Sequence, residues 1–545
     1  MVNIYLYGGV DEIGGNQILL EEGETRVFLD FGQRLSFETD FFANFLQPRA
    51  NTALQDRLTI GALPRINGVY RGDLFRPIGV EKLERCKYSR VLTKGSPYLS
   101  NPPVETYEEY IDREGKPYIH GILLTHAHLD HTGSIRFLHH RIPIYCSSTT
   151  RTLVEAIDEV TSLPSQALES KTNEIQFTNT RSRTPGSPRI THTTIARPCI
   201  TMRDEETKKI GDLSIKIILQ DHSIPGASSF IIDTGDTRIL YTGDIRFHGY
   251  YPLTLERYVS KVGKIDIMIC EGTRVDSNNV LREEDIRRKI TEKIKETKGL
   301  VFIDFNWKDT TRFETIREAS REAGRVFIIN SRLAYLLNKL GVNFGDDVKV
   351  FLKRKGSCLY SPMDYSKTLY ELGFSADWSK EPEDWSHYEE GLTAEEIKRN
   401  PSKYVMMLSY YDINQLFDLA DENGRIPDAW FIKAQCAPFS DEMEIDEERL
   451  IHWLNTFNIG YDLAETKLPP NCSNPLCDKI KKQIERAHVS GHVSGVELEE
   501  LIKQIEPNIL IPVHTLYPER FKELAEENNI GVEVLKPVYG KKYVL

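Results

Sequence analysis

The sequence predicts an α/β protein whose sheets deliver a metal-binding cluster at their strand ends, interrupted by a doubly wound α/β layer. Three observations carry this. The run Thr125-His126-Ala127-His128-Leu129-Asp130-His131-Thr132-Gly133 follows the apolar stretch Ile122-Leu123-Leu124, which reads as a buried strand. Further apolar runs end in an acid or a histidine, at Asp30, His222, Asp244, Glu271 and His514. From residue 281 onward, charged helical stretches alternate with short buried runs, the signature of parallel strands joined by helices.

The histidine-rich run sets the chemistry. A strand alternates its side chains between two faces, so His126 and His128 share one face and the following turn brings Asp130 and His131 alongside. Imidazoles with a carboxylate suit zinc or a similar divalent ion. A pair of such ions can activate water and clamp a phosphoryl group. With only 14 histidines among 545 residues, three within six positions beside an aspartate mark a metal site rather than scattered surface residues.

A chain of 545 residues exceeds one compact core, so two to four domains are expected. Its 40% hydrophobic and 28% charged content is ordinary for a soluble protein. No window approaches the roughly 18 apolar residues of a membrane helix, and the N-terminus reads as a first strand rather than a signal peptide. Eight thinly spread cysteines indicate reduced thiols in a cytoplasmic protein. Cys472 and Cys477 lack a second pair nearby and read as a loop. The net charge of −12 opposes whole-surface attraction to nucleic acid. Locally, Arg181, Arg183, Arg189, Arg197 and Arg203 fall in a stretch without acids, which taken alone reads as a solvated face.

In chain order, residues 5–30 read as strand, turn, strand, turn, strand. The glycines of 8–15 let the backbone pass close to another group. Residues 33–118 form a long Pro-, Gly- and aromatic-rich connection, either a lid or binding element beside a cleft or a partner-binding patch. A short helix at 134–139, a strand at 142–146 and a helix at 149–159 follow. The strand at 213–219 delivers His222, and the hairpin at 230–244 ends at Asp244. Alone, His222 reads as a core or loop histidine and Asp244 as a turn cap; after the histidine-rich run they supply a further imidazole and a bridging carboxylate. Residues 265–273 are a strand ending at Glu271. Helices at 281–297 and 310–323 alternate with strands at 300–305 and 325–330. Strands at 404–410 and 428–434 and a helix at 450–457 follow, and residues 374–400, with Trp378 and Trp385, read as exposed loop and helix. Residues 488–493 read as a strand turning into a helix, capped by Ser494 and Glu497. The strand at 509–513 delivers His514; a helix at 518–527 and strands at 531–535 and 541–544 close the chain.

The His126-x-His128-x-Asp130-His131 pattern, with Asp30, His222, Asp244, Glu271-x-Thr273, Ser490-Gly491-His492 and Pro512-Val513-His514, resembles the β-CASP group of metallo-β-lactamase nucleases. The resemblance covers residues 1–273 and 484–545. It implies a metallo-β-lactamase αββα sandwich with an inserted β-CASP domain at 274–483. It further implies two zinc ions, with manganese or magnesium as alternatives. His126, His128 and His222 would bind one ion, and Asp130, His131 and His514 the other, with Asp244 bridging. Asp30 would buttress the ligands, Glu271 would orient His492 as proton donor, and Ser490-Gly491-His492 at a helix N-terminus would hold a phosphate, as exposed amides can. Asp130, Glu271 and His492 are thus the implied catalytic set. The implied function is a ribonuclease, exo- or endonucleolytic, acting on single-stranded RNA to leave 5′-phosphate and 3′-hydroxyl ends, with a homodimer or processing-complex partner left open and no membrane partner. A DNA nuclease of the same superfamily and a catalytically silent RNA-binding subunit are the alternatives; His514 argues against the first and the filled ligand set against the second. The sequence departs from the group at Asn306-Trp307-Lys308-Asp309-Thr310-Thr311-Arg312 and at residues 437–442. Trp307, Tyr410 and Tyr411 are candidate base-stacking groups, with core packing the plainer reading.

Overall fold

The computed structural model describes residues 1–42, 46–84, 101–161, 164–177, 188–250, 253–278, 280–342, 345–354, 391–438, 441–466 and 481–545. Two seven-stranded sheets face one another. The first runs 542–544, 2–6, 17–22, 25–31, 121–123, 144–147, 199–202; the second runs 533–534, 509–513, 267–271, 238–241, 228–233, 213–219, 207–210. Alternation decides which side chains meet between them. Ile18, Leu20, Val27 and Leu29 of the first sheet pack against Ile215, Ile217, Phe230, Ile232 and Ile269 of the second. Their neighbours turn outward: Phe28 and Ile122 join Leu153, Val154 and Ile157 of helix Ser148–Val160. Behind the second sheet, helices Leu255–Val262, Gly495–Ile505 and Glu519–Glu527 bury Tyr258, Leu498, Leu501, Ile502 and Phe521. The result is the αββα sandwich expected.

A third seven-stranded sheet, ordered 391–392, 348–351, 326–329, 404–407, 301–304, 430–433, 460–461, is parallel throughout. Helices Glu283–Glu296, Thr310–Glu322 and Ser331–Lys339 cover one face and Ala394–Arg399 and Asp441–Thr456 the other. Both faces being buried explains why its strands read as continuous apolar runs. Helix Ser331–Lys339 packs on helix Ser148–Val160 of the sandwich.

Three expectations need correction. Residues 33–118, expected as a lid or a partner patch, are built into the sandwich over their described part: Leu54, Leu58, Leu63, Val69, Tyr70, Phe75 and Tyr107 all enter its core. Residues 488–493 form neither strand nor helix, because their carbonyls are engaged by side chains: the Ser490 carbonyl accepts from Arg246 and His248, and the Gly491 carbonyl from His222. Arg197 is no solvated cation. It is buried and donates to the carbonyls of Ala167, His139, Ile142, Ile135 and Leu138. Arg181, Arg183, Trp378, Trp385, Cys472 and Cys477 lie outside the described residues.

Candidate active site

Strand Gly121–Leu123 ends at Leu124, whose amide donates to the Tyr145 carbonyl. Thr125 is then taken by Asp30, which accepts from its amide at 2.8 Å and its hydroxyl at 2.7 Å. Asp30 also accepts from the Tyr241 hydroxyl at 2.8 Å and lies 2.7 Å from Nδ1 of His131. Its backbone is left-handed, φ 54°, an uncommon state for a residue with a Cβ. His128 is in extended backbone, and the four-residue helix Leu129–Thr132 that it caps swings Asp130 and His131 round to His126 and His128. Glycine permits this closeness: a Cβ at Gly32 would lie 1.6 Å from the Asp130 carbonyl oxygen, and one at Gly14 would lie 2.4 Å from its carboxylate.

The second sheet brings the remaining donors. Asp244 is buried, with Oδ2 at 3.6 Å from His126 Nε2, 3.3 Å from His131 Nε2, 3.8 Å from His222 Nε2 and 3.5 Å from His514 Nε2. His514 Nε2 is also 3.4 Å from Asp130 Oδ2, and His128 Nδ1 is 2.9 Å from His126 Nε2 and 3.3 Å from His222 Nε2. Donors held about 2.0–2.1 Å from one tetrahedral ion lie roughly 3.3 Å apart, so these separations suit a metal. Two four-donor groups emerge, His126, His128, His222, Asp244 and Asp130, His131, Asp244, His514, each with its ligand atoms within 4.8 Å of one another.

Both carboxylate oxygens of Asp244 and Nε2 of His131 are buried without a hydrogen-bond partner, a costly arrangement that a cation relieves. The opposite ring nitrogens are anchored: His222 Nδ1 donates to the Gly491 carbonyl at 2.6 Å, and His514 Nδ1 meets the Thr273 hydroxyl at 2.9 Å. Such bonds fix the tautomer that leaves the other nitrogen free to ligate. Burial pushes His126 and His222 well below the usual imidazole range and His128 down to about 4, so these rings keep their lone pairs. Burial also opposes charge on His131 and His514, yet the carboxylates, Asp244 foremost, outweigh it. They hold His131 well above its ordinary value and His514 up at about 9. Those two protons balance Asp130 and Asp244, which remain ionised despite burial. A divalent ion would replace them, so binding releases protons.

Beside the cluster, Nδ1 of His492 lies 3.1 Å from both oxygens of Glu271, which also accepts from the Ile245 amide. The Ser490 hydroxyl accepts from the His492 amide. The turn at 490–492 precedes its helix rather than opening it: the helix starts at Gly495, and Ser494 and Glu497 form its capping box.

The sequence did not point to three further groups. Lys308, on the inserted sheet's first loop, is half-buried; burial lowers its amine while Asp130 and Asp158 pull the other way. Buried Arg246 joins Asp221, at 3.0 Å, to the Thr311 hydroxyl of the inserted sheet, at 2.9 Å. Tyr241 bridges Asn16 and Asp30. Only Arg246 carried a signal, its place two residues after Asp244. Of the aromatics, Tyr411 is exposed, while Trp307 and Tyr410 pack partly against the cores.

Residues 105–297 match the beta-lactamase superfamily domain, and residues 478–537 match the Zn-dependent metallo-hydrolase RNA specificity domain. Ribonuclease J of Pyrococcus abyssi is 23% identical over 560 residues, covering 98% of this chain and 95% of the relative. Ribonuclease J of Sinorhizobium meliloti is 24% identical over 416 residues, covering 74% of this chain and 58% of the relative. A crystal structure of a protein of unknown function from Enterococcus faecalis V583 shares the fold, with a TM-score of 0.64 at 18% identity over 100% of both chains. The fold and these matches make the chain a metallo-β-lactamase-fold, metal-dependent hydrolase. Within that class the matches support a β-CASP, ribonuclease J-like protein.

Proposed function

We propose that this chain hydrolyses phosphodiester bonds of single-stranded RNA with two zinc ions, leaving 5′-phosphate and 3′-hydroxyl ends. The observation that carries the reading is Asp244, with both oxygens unpartnered and the imidazoles of His126, His131, His222 and His514 within 3.8 Å. In this reading His126, His128 and His222 hold one ion, Asp130, His131 and His514 hold the other, and Asp244 lies between them. Divalent ions bound there supply an acidified water near neutral pH and neutralise charge on the phosphoryl oxygens. RNA as the substrate is supported by the RNA specificity domain matched at 478–537 and by the ribonuclease J relatives.

The chain's own groups do the rest. Asp30 fixes Thr125 and the His131 ring, so the donor set is organised before substrate arrives. Glu271 accepts from Nδ1 of His492 and leaves its Nε2 to give a proton to the departing 3′-oxygen. Lys308, drawn towards the Asp130 carboxylate, would place a cation near the scissile phosphate. Residues 1–273 and 484–545 form the hydrolytic part and residues 274–483 the cap over the strand.

The test is to incubate zinc-loaded protein with end-labelled RNA and DNA carrying 5′-phosphate or 5′-hydroxyl, with His128→Ala as the blank. RNA cut to 5′-phosphate products by the wild type alone is the expected result. Intact RNA in the presence of bound zinc, or preferential cleavage of DNA, overturns the proposal.

A further inference from the structure

A second site of opposite character lies on the same sandwich. A pocket of about 710 Å³ opens between residues 33–74 and the strand Glu169–Phe177, lined among others by Arg49, Arg57, Arg71, Arg136, Lys171 and Phe137. Its volume falls within the roughly 300–1,000 Å³ of ordinary ligand sites. Among the described residues no carboxylate lines it, although the chain carries a net charge of −12. Leu129 and Gly133, at either end of the helix that bears Asp130 and His131, form part of its wall. The pocket therefore abuts the hydrolytic centre without sharing its donors.

Several of these cations are neutralised from behind: Arg57 by Glu38, Arg71 by Asp73 and Arg49 by Asp56. That neutralisation is incomplete. Arg57 is 2% exposed and pairs Nε and Nη2 with Glu38, but its Nη1 is buried with no hydrogen-bond partner. Arg136 has no carboxylate within ion-pair distance among the described residues, and its Nε is likewise buried and unpartnered. Both guanidinium groups lie over the Phe137 ring, at 5.4 and 4.8 Å from its centre. Burial, with Arg57 adding repulsion, lowers Arg136 to about 10. Two neighbouring guanidinium groups so placed are costly, and a phosphate in the pocket offsets their charge, since pairs of guanidinium N–H groups match two phosphate oxygens.

We propose that this pocket seats a nucleotide phosphate of the RNA strand at a distance from the scissile bond, so that substrate is held at two places. The inference rests on the RNA-hydrolase reading for its source of phosphate; the pocket's preference for a phosphate-bearing nucleotide does not. Phe137 and the aliphatic faces of Leu35, Leu74 and Leu129 give the apolar side against which a sugar or base rests.

The test uses the full chain with its metal. Arg136→Gln and, on the exposed strand, Lys171→Gln are compared with wild type for cleavage of a 20-nucleotide RNA and of a trinucleotide too short to span both places. Arg136→Gln is expected to raise KM for the long RNA about tenfold with kcat unchanged, to leave the trinucleotide unaffected, and to lower the salt slope of binding by about 0.7. Arg136→Lys should recover part of the loss. If Arg136→Gln melts early, Lys171→Gln carries the comparison. Unchanged KM and salt slope in both folded variants overturns the proposal. Melting shifts with a nucleoside monophosphate and with inorganic phosphate separate the sources. A wild type inactive on RNA that is stabilised by the monophosphate, but not after Arg136→Gln, sinks the hydrolase reading and keeps the nucleotide pocket. Phosphate binding that RNA fails to displace overturns the strand assignment.

Discussion

The hydrolytic centre and the guanidinium pocket share one short helix and are electrostatic opposites. In the centre the orphaned atoms are both Asp244 carboxylate oxygens, with Nε2 of His131 beside them; in the pocket they are guanidinium nitrogens, those of Arg57 and Arg136. The sign of the unsatisfied charge therefore names the ligand, a cation in the first and an anion in the second. The same contrast appears in two histidines of one segment. His514, facing Asp244 and Asp130, is held up at about 9; His488, half-buried and near Arg312, Arg246 and Arg274, is pushed down to about 3 by desolvation and those cations.

The sharpest way to break the contrast is to remove its anionic pole. Asp244→Ala should cut RNA hydrolysis by at least about 10³-fold, roughly 4 kcal/mol of barrier, and elemental analysis should find less than the wild-type metal content. Retained metal and activity would show that the carboxylate holds nothing.

Arg312 supplies a comparison, a buried cation that is paired with a carboxylate although its Nε has no partner. It donates to Glu283 at 3.0 Å and to the carbonyls of Ala487 and Val489. Arg312→Met leaves Glu283 without that partner and should cost about 3–5 kcal/mol in urea unfolding. A loss below about 1 kcal/mol would mean that Arg246, 3.8 Å from Glu283, suffices alone.

Next in size is His492→Gln, expected to lower kcat by about 10²-fold, the lower end of general-acid contributions, with metal content unchanged. Glu271→Gln should act in the same direction and more weakly, because it loosens the ring without deleting it. Loss of metal in the His492 variant would instead make this residue a ligand, an arrangement open to it through its closeness to Glu271 and His514.

The smallest effect is a pH slope. The folded His488 titrates near 3, below the roughly 6.5 of an unfolded chain. Between those values the unfolded state binds more protons, so stability rises with pH through the window and is lost as pH falls through 6.5. Replacing His488 by Gln should flatten the loss between pH 7 and pH 5 by on the order of 2 kcal/mol, measured as urea midpoints at the two values. An unchanged slope would place the proton uptake elsewhere.

How much of this was legible in the sequence follows from how local each feature is. His126, His128, Asp130 and His131 sit in one loop, so period-two alternation sufficed to bring them together. His222, Asp244 and His514 were legible as strand ends, their convergence only through the family resemblance. Lys308 and Arg246 were not, because their positions depend on how the inserted sheet packs against the sandwich. Val489-Ser490-Gly491-His492-Val493 read as a strand because its apolar residues flank polar ones. Nothing in that pattern announces that Arg246, His248 and His222 claim its carbonyls. The pocket was invisible for a related reason: Arg57, Arg71, Arg136 and Lys171 come from four separate segments.

The position of the last strands has a consequence for biosynthesis. Strand Ile509–Val513 is interior to the second sheet, and its His514 meets Asp130 across 384 positions of chain. At ordinary elongation rates of about 5–20 residues per second, roughly 20–80 s separate the emergence of those two side chains. Throughout that interval the growing polypeptide holds an incomplete donor set. Strand Lys542–Val544, which closes the first sheet against Val2–Leu6, arrives later still. On the two-ion proposal the hydrolase would be made unarmed, and a chain that stops within the inserted sheet lacks the imidazole of His514.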